Sequence, residues 1–111
     1  MKKILIGLIV IIMFTACSNK SKLEDILKEN NYIILDVRTK EEYQEGHVIN
    51  ALNIPYDEID ENINLSKNKT ILVYCRSGKR SQIAYNTLKK YGYDVYDMGA
   101  YDSVLLDKVN N

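Results

Sequence analysis

The chain changes character after its first seventeen residues. Met1-Lys2-Lys3 is positive, and Ile4 through Ala16 is uncharged and mostly Ile, Leu, Val, Met and Phe. As a helix that stretch rises only about 20 Å, short of a ~30 Å hydrocarbon core. Beyond it, short apolar runs alternate with amphipathic segments. Ser21-Lys22-Leu23-Glu24 has the form of a capping box, followed by an apolar stripe of Leu23, Ile26 and Leu27 that Asn30-Asn31 ends. Tyr32-Ile33-Ile34-Leu35 predicts a strand buried on both faces. Thr39-Lys40-Glu41-Glu42 is a second capping box, with Gly46 as its helix stop. Ala51-Leu52-Asn53-Ile54 predicts a short strand, and Pro55 opens a helix to about Asn62.

The second half continues the alternation. Thr70-Ile71-Leu72-Val73-Tyr74 is the strongest strand signal in the chain. A helix is expected over residues 81–91, with Ile83, Ala84, Thr87 and Leu88 on one face and Gly92 closing it. Val95-Tyr96 predicts a last short strand, and residues 101–109 a final helix. Strands alternating with helices over this length predict an α/β fold: one domain with a central parallel sheet flanked by helices on both faces.

A charged start, a short apolar core and small residues at its end describe a secretory signal. Phe14-Thr15-Ala16-Cys17 resembles the lipobox of bacterial lipoproteins, with Phe14 where that family usually has Leu. The resemblance implies a signal peptide over 1–16, a lipidated Cys17, a tether over 17–20 and a domain over 21–111. The expected location is extracytoplasmic, lipid-anchored at a bacterial cell membrane. A plain secretory signal and an uncleaved anchor are the alternatives. Removing residues 1–16 also removes Lys2 and Lys3, leaving 13 basic against 15 acidic residues, a net of −2 over 95 residues.

Composition then narrows the function. The 111 residues are 46% hydrophobic and 27% charged, which excludes disorder and collagen-like fibre. Balanced charge gives no field for nucleic acid. One His and two Cys, without CxxC or HxxxH spacing, make no zinc site, and no nucleotide-binding loop is present. No cofactor is expected, and a monomer is the default.

One segment stands apart: Cys75-Arg76-Ser77-Gly78-Lys79-Arg80-Ser81, between the strongest strand and a helix. In parallel α/β folds ligands bind beyond the carboxyl ends of the strands. Gly78 permits a tight loop of converging N–H groups, and the helix N-terminus adds unpaired donors and partial positive charge. With Arg76, Lys79 and Arg80, the loop suits an anion, and a thiol there is favoured as the nucleophilic thiolate. A small buried cysteine beside a solvated basic turn is the plainer reading. Lipidation of Cys17 would leave Cys75 without an internal disulfide partner, as a free thiol.

Ile34-Leu35-Asp36-Val37-Arg38-Thr39, Glu42-Tyr43, Glu45-Gly46-His47-Val48, Ala51-Leu52-Asn53-Ile54-Pro55 and Val73-Tyr74-Cys75-Arg76-Ser77-Gly78-Lys79-Arg80-Ser81 resemble, in order and spacing, the single-domain rhodanese family. The resemblance implies sulfurtransfer: Cys75 takes sulfane sulfur from a donor such as thiosulfate and passes it to a thiol, protein or cyanide acceptor. It implies a cradle of N–H groups from Arg76, Ser77, Gly78, Lys79 and Arg80. Arg76 and Lys79 would bind the donor's oxyanion, Arg80 would brace the loop, and Asp36 and Arg38 would support it. Asp36 would face the same crevice as the loop, and His47 would be a packing element rather than a base. Ile49-Asn50 stands where the family usually has Pro-Gly, with Asn50 able to turn left-handed. Met98-Gly99-Ala100-Tyr101 replaces the usual Gly-Gly run, without the Trp that often follows.

Two other functions compete. Cys-based phosphatases and arsenate reductases share the anion cradle, but the phosphatases use a His before the Cys and an Arg six positions after it. Tyr74 and Ser81 occupy those positions here. A non-catalytic persulfide relay or sensor is the other, and retention of Cys75 with three cations argues against an inert scaffold.

Overall fold

The computed structural model describes residues 18–110 and divides the chain into two units, residues 1–30 and 31–111. The expected signal peptide and the expected lipidation site, Cys17, lie outside the described residues. The first unit contributes helix α1, Ser18–Glu29. It begins at the expected tether, so Ser21 falls inside the helix rather than at its cap. Asn30 ends it at a φ of 54°.

The second unit is built on a parallel sheet. Strands β1 (Tyr32–Asp36), β3 (Leu52–Asn53), β4 (Thr70–Cys75) and β5 (Asp94–Ala100) lie in the order β3-β1-β4-β5, all parallel. The two strongest apolar runs of this unit take the two central places, as strands buried on both faces require. Helices flank the sheet: α2 (Lys40–Glu45) after β1 and α3 (Lys79–Lys90) after β4. The core on the α3 side joins Leu35, Val37, Ile71, Val73, Cys75, Val95 and Leu88. Burying each large aliphatic there contributes about 1.5–3 kcal/mol.

The α3 stripe differs from the expected one. Ser81, Ala84 and Leu88 are buried, whereas Ile83 is 44% exposed. The helix starts at Lys79, two residues early, because Gly78 already caps it. That rotates Ser81 inward, where its hydroxyl donates to Gly78 O at 3.1 Å.

Two expected helices are not formed. After Pro55 only a single 3-10 turn, Tyr56–Glu58, appears. The flanking backbone is pinned to the end of β1, with Ile54 N–H donating to Asp36 O and Tyr56 N–H to Val37 O. Asp60 then accepts from Asn62 N–H at 2.9 Å, a local bond that competes with a helix. At the C-terminus a 3-10 turn, Tyr101–Ser103, precedes strand β6, Lys108–Asn110. That strand pairs antiparallel with β2, Gly46–Val48, in the register Gly46↔Asn110, His47↔Val109 and Val48↔Lys108. The unpaired edge of β2 supplies partners that a short terminal helix could not offer. A Cβ at Gly46 would lie 2.9 Å from Asn110 Oδ1 and 3.1 Å from Val109 O, so a side chain here would press on β6. Asn50 takes the left-handed turn at a φ of 69°.

A buried ion pair fastens these parts together. Asp36 and Tyr74 are fully buried and Arg38 is 5% exposed. Arg38 donates to Asp36 from its backbone N–H at 2.9 Å, from Nε at 3.0 Å and from Nη2 at 2.6 Å. Its Nη2 also reaches Gly46 O at 2.6 Å. Tyr74 Oη donates to Asp36 Oδ2 at 2.7 Å and accepts from Val48 N–H at 3.0 Å. Burial opposes the Arg38 charge, but the hydrogen bond and charge of Asp36 outweigh it and raise the Arg38 pKa. Burial first, then the Asp36 carboxylate, pushes the Tyr74 phenol up, so the hydroxyl stays a donor.

Replacing Tyr74 by Phe removes one donor to a buried carboxylate and leaves Val48 N–H unpaired. Tyr74→Phe is expected to lower the unfolding free energy by about 1–3 kcal/mol, read by urea denaturation with an unchanged m value.

Candidate active site

Cys75 closes β4 and is fully buried. The chain then turns through Arg76 and Ser77, both exposed, into Gly78. Gly78 has a φ of 99°, a left-handed conformation that costs a side-chain-bearing residue about 1–2 kcal/mol. This turn aims the Gly78 N–H at the cysteine, with N to Sγ at 2.9 Å. Gly78 is also the cap of α3. The sulfur therefore sits where a helix begins, with the first turn's N–H donors and partial positive charge nearby. Ala100 and Gly99 of β5 flank the loop, 3.8 Å from where a Gly78 Cβ would stand.

The three loop cations have different fates. Arg76 is 76% exposed and its Nη1 lies 3.9 Å from Glu42 Oε2, a loose contact. Lys79 is exposed and forms no ion pair among the described residues. Arg80 is half-buried and clamped: Nη1 donates to Glu42 Oε1 at 2.7 Å and Nη2 to Oε2 at 3.0 Å. Its hydrogen bond to Glu42, opposed by burial and reinforced by the charges of Glu42 and Cys75, raises its pKa.

Sequence reasoning missed Glu42 as part of this site. The residue carried a signal, since Thr39-x-x-Glu42 marks a capping box, and that box is formed. Thr39 N–H and Oγ1 each donate to Glu42 Oε1 at 3.1 Å. The same carboxylate reaches Arg80, so the α2 cap and the Cys75 loop share one anion. The Arg80 hydrogen bond, against some burial and with help from Thr39, holds the Glu42 carboxyl down at about 2.

The remaining predicted residues stand farther back. The Asp36 carboxylate is filled by Arg38 and Tyr74 rather than by the Cys75 loop. Arg38 Cζ lies 4.3 Å from the centre of the Tyr101 ring, which stacks on Tyr74 at 5.6 Å. His47 Nδ1 is 2.8 Å from Tyr43 O, and its ring stacks on Tyr43 at 3.7 Å. Beside the loop opens a cleft of about 250 Å³, lined by Arg76, Glu42, Glu45, Tyr101, Asp102 and Asn110 among others. Among the described residues no cluster of His, Cys, Asp and Glu could hold a metal ion.

A parallel sheet whose central strand ends in a cysteine, followed by a loop that caps the next helix, defines an α/β protein with a cysteine at a helix N-terminus. Residues 19–104 match the rhodanese-like domain, and the chain belongs to that family. It is 39% identical over 79 residues to PspE, a thiosulfate sulfurtransferase of Escherichia coli, covering 68% of this chain and 76% of PspE. It is 43% identical over 61 residues to YrkF of Bacillus subtilis, covering 54% of this chain but only 33% of YrkF. An Escherichia coli rhodanese solved with anions superposes with a TM-score of 0.67 at 37% identity, covering 72% of this chain and 99% of that one.

The Glu42 value sets a pH dependence. Its carboxyl ionises at about 2 when folded, against an ordinary value of 4.5. The folded state therefore binds fewer protons between those values, so this contribution is complete above about 4.5 and is lost as pH falls through 2. Denaturation curves across this range should fall more steeply with acid for the wild type than for Glu42→Gln, and the two should converge toward pH 2.

Proposed function

We propose that the protein is a sulfurtransferase that carries sulfane sulfur as a persulfide on Cys75. The observation that carries this reading is the 2.9 Å contact from Gly78 N–H to Cys75 Sγ at the start of α3, with Arg76 and Lys79 exposed beside it. Kinship with a thiosulfate sulfurtransferase supports thiosulfate as the donor class. In the first step the Cys75 thiolate attacks the outer sulfur of thiosulfate. A bond forms between Sγ and that sulfur, the bond to the sulfonate sulfur breaks, and its electron pair leaves as sulfite. The persulfide now holds the negative charge, next to the Gly78 N–H that already points at Sγ and needs no rearrangement. In the second step the thiolate of an acceptor attacks the outer persulfide sulfur, and Cys75 leaves as thiolate. Arg76 and Lys79 supply charge for the donor's oxyanion end. No residue is asked to move a proton, which fits a His47 ring already stacked on Tyr43.

We further propose that the protein works outside the cytoplasm, held at the membrane by a lipid on Cys17. The charged start, the apolar stretch and Phe14-Thr15-Ala16-Cys17 support this. Among the described residues no helix is long and apolar enough to cross a membrane.

Incubation with thiosulfate is expected to add the mass of one sulfur atom to the wild type, and cyanide to release it as thiocyanate. Cys75→Ser should cut thiocyanate formation by roughly 10³-fold or more. A wild type that gains no sulfur and forms no thiocyanate removes the proposal, and phosphate-ester hydrolysis dependent on Cys75 would replace it with phosphatase chemistry. For localisation, Cys17→Ala should abolish metabolic labelling by fatty acid and release the protein from the membrane fraction.

A further inference from the structure

Of the three cations around Cys75, one is already committed. Arg80 gives both terminal nitrogens to Glu42, at 2.7 and 3.0 Å, joining the first turn of α3 to the first turn of α2. Glu42 is itself held by two bonds from Thr39 and is only 18% exposed. The ion pair thus has little freedom to exchange with solvent. Arg76 stays 76% exposed, with only a loose 3.9 Å contact to Glu42 Oε2, and Lys79 has no ion-pair partner among the described residues.

A guanidinium released from this clamp would present a planar fork suited to a sulfur oxyanion. It would stand in the first turn of α3, two residues after Gly78, whose N–H meets Cys75 Sγ. A third available cation would hold the thiosulfate donor more tightly. It would hold the departing sulfite more tightly as well. Binding that is equal for substrate and product lowers KM without raising the rate of transfer, and it slows product release. The clamp also fixes the turn that aims Gly78 N–H at Sγ.

Building on the sulfur-transfer reading, we propose that Glu42 is a positioning residue for that reaction: it holds Arg80 against the α2 cap and out of the anion site. The donor is then taken, and sulfite released, by Arg76, Lys79 and the loop N–H groups.

The test uses the full chain as wild type, Glu42→Gln, Glu42→Asp, Arg80→Gln and the Glu42→Gln/Arg80→Gln pair. Steady-state kcat and KM for thiosulfate are measured, and sulfite binding is followed by calorimetry without turnover. In Glu42→Gln, KM for thiosulfate and Kd for sulfite should both fall about 3- to 10-fold. Its kcat should fall about 10-fold or more as release slows and the turn loosens. Adding Arg80→Gln should return both affinities to wild-type strength or weaker, because the tightening comes from the freed guanidinium. Glu42→Asp, which keeps the charge, should recover part of kcat.

Unchanged or weaker sulfite binding in folded Glu42→Gln overturns the proposal, as does tightening that survives in the double variant. If Glu42→Gln does not fold, Arg80→Gln alone decides. A reduced kcat with KM unchanged supports the role given to Glu42, and a KM raised tenfold or more contradicts it by placing Arg80 on the anion. Sulfite affinity is read without chemistry, so absence of persulfide in the wild type removes the sulfur-transfer reading separately.

Discussion

A carboxylate buried away from water must find donors, and Asp36 governs much of this structure for that reason. Its demand is met by Arg38 from the adjoining turn and by Tyr74 from the neighbouring strand. Each donor then has capacity left for a second element. Arg38 reaches Gly46 O and Tyr74 receives Val48 N–H, so both ends of β2 are fixed by the groups that satisfy Asp36. Strand β2 in turn offers the edge on which β6 pairs. Removing one member would leave the others buried and unsatisfied, which costs far more than the net value of the intact cluster.

This cluster supports the cysteine without touching it. Tyr74 is the last residue before Cys75, and its ring points to the face opposite the α3 core. With Tyr74 fixed on one face, Cys75 is fixed on the other, since successive strand residues alternate. The second support is electrostatic. Glu42 carries the α2 cap and the Arg80 clamp on one carboxylate, so the approach of α2 to the cysteine loop is set by a single anion. Rigidity below the sulfur and a fixed charge beside it leave the exposed Arg76, Ser77 and Lys79 as the adaptable part of the site.

Features written in consecutive residues were legible in the sequence. The apolar runs of β1 and β4, the Thr39–Glu42 capping box, the turn at Asn50 and the tight loop at Gly78 all depend on local chemistry, and the structure has each of them. Features that depend on distant partners were not. Glu42 and Arg80 lie 38 residues apart, and nothing in either neighbourhood names the other. Tyr74 reads as one more apolar residue of a buried strand, although its hydroxyl decides the fate of Asp36. Strand β6 is three residues long and forms because β2 has a free edge. The segment after Pro55 looked helical because Pro suits the first position of a helix, while its hydrogen bonds go back to β1 and to the Asp60 side chain.

Cys75 is the one free cysteine among the described residues, and it is buried. A sulfur carried there, as proposed, would find no second thiol among the described residues onto which it could collapse as an internal disulfide. On the proposed reading its discharge would need an acceptor from outside these residues, and the lifetime of the loaded form would follow the concentration of acceptors that reach the loop. The same solitude shapes damage. A sulfenic acid formed at Cys75 would have no thiol among the described residues to condense with and would await another reductant or proceed to irreversible oxidation. Burial thus guards the thiol, and any sulfur it would carry, while making both dependent on what arrives from outside.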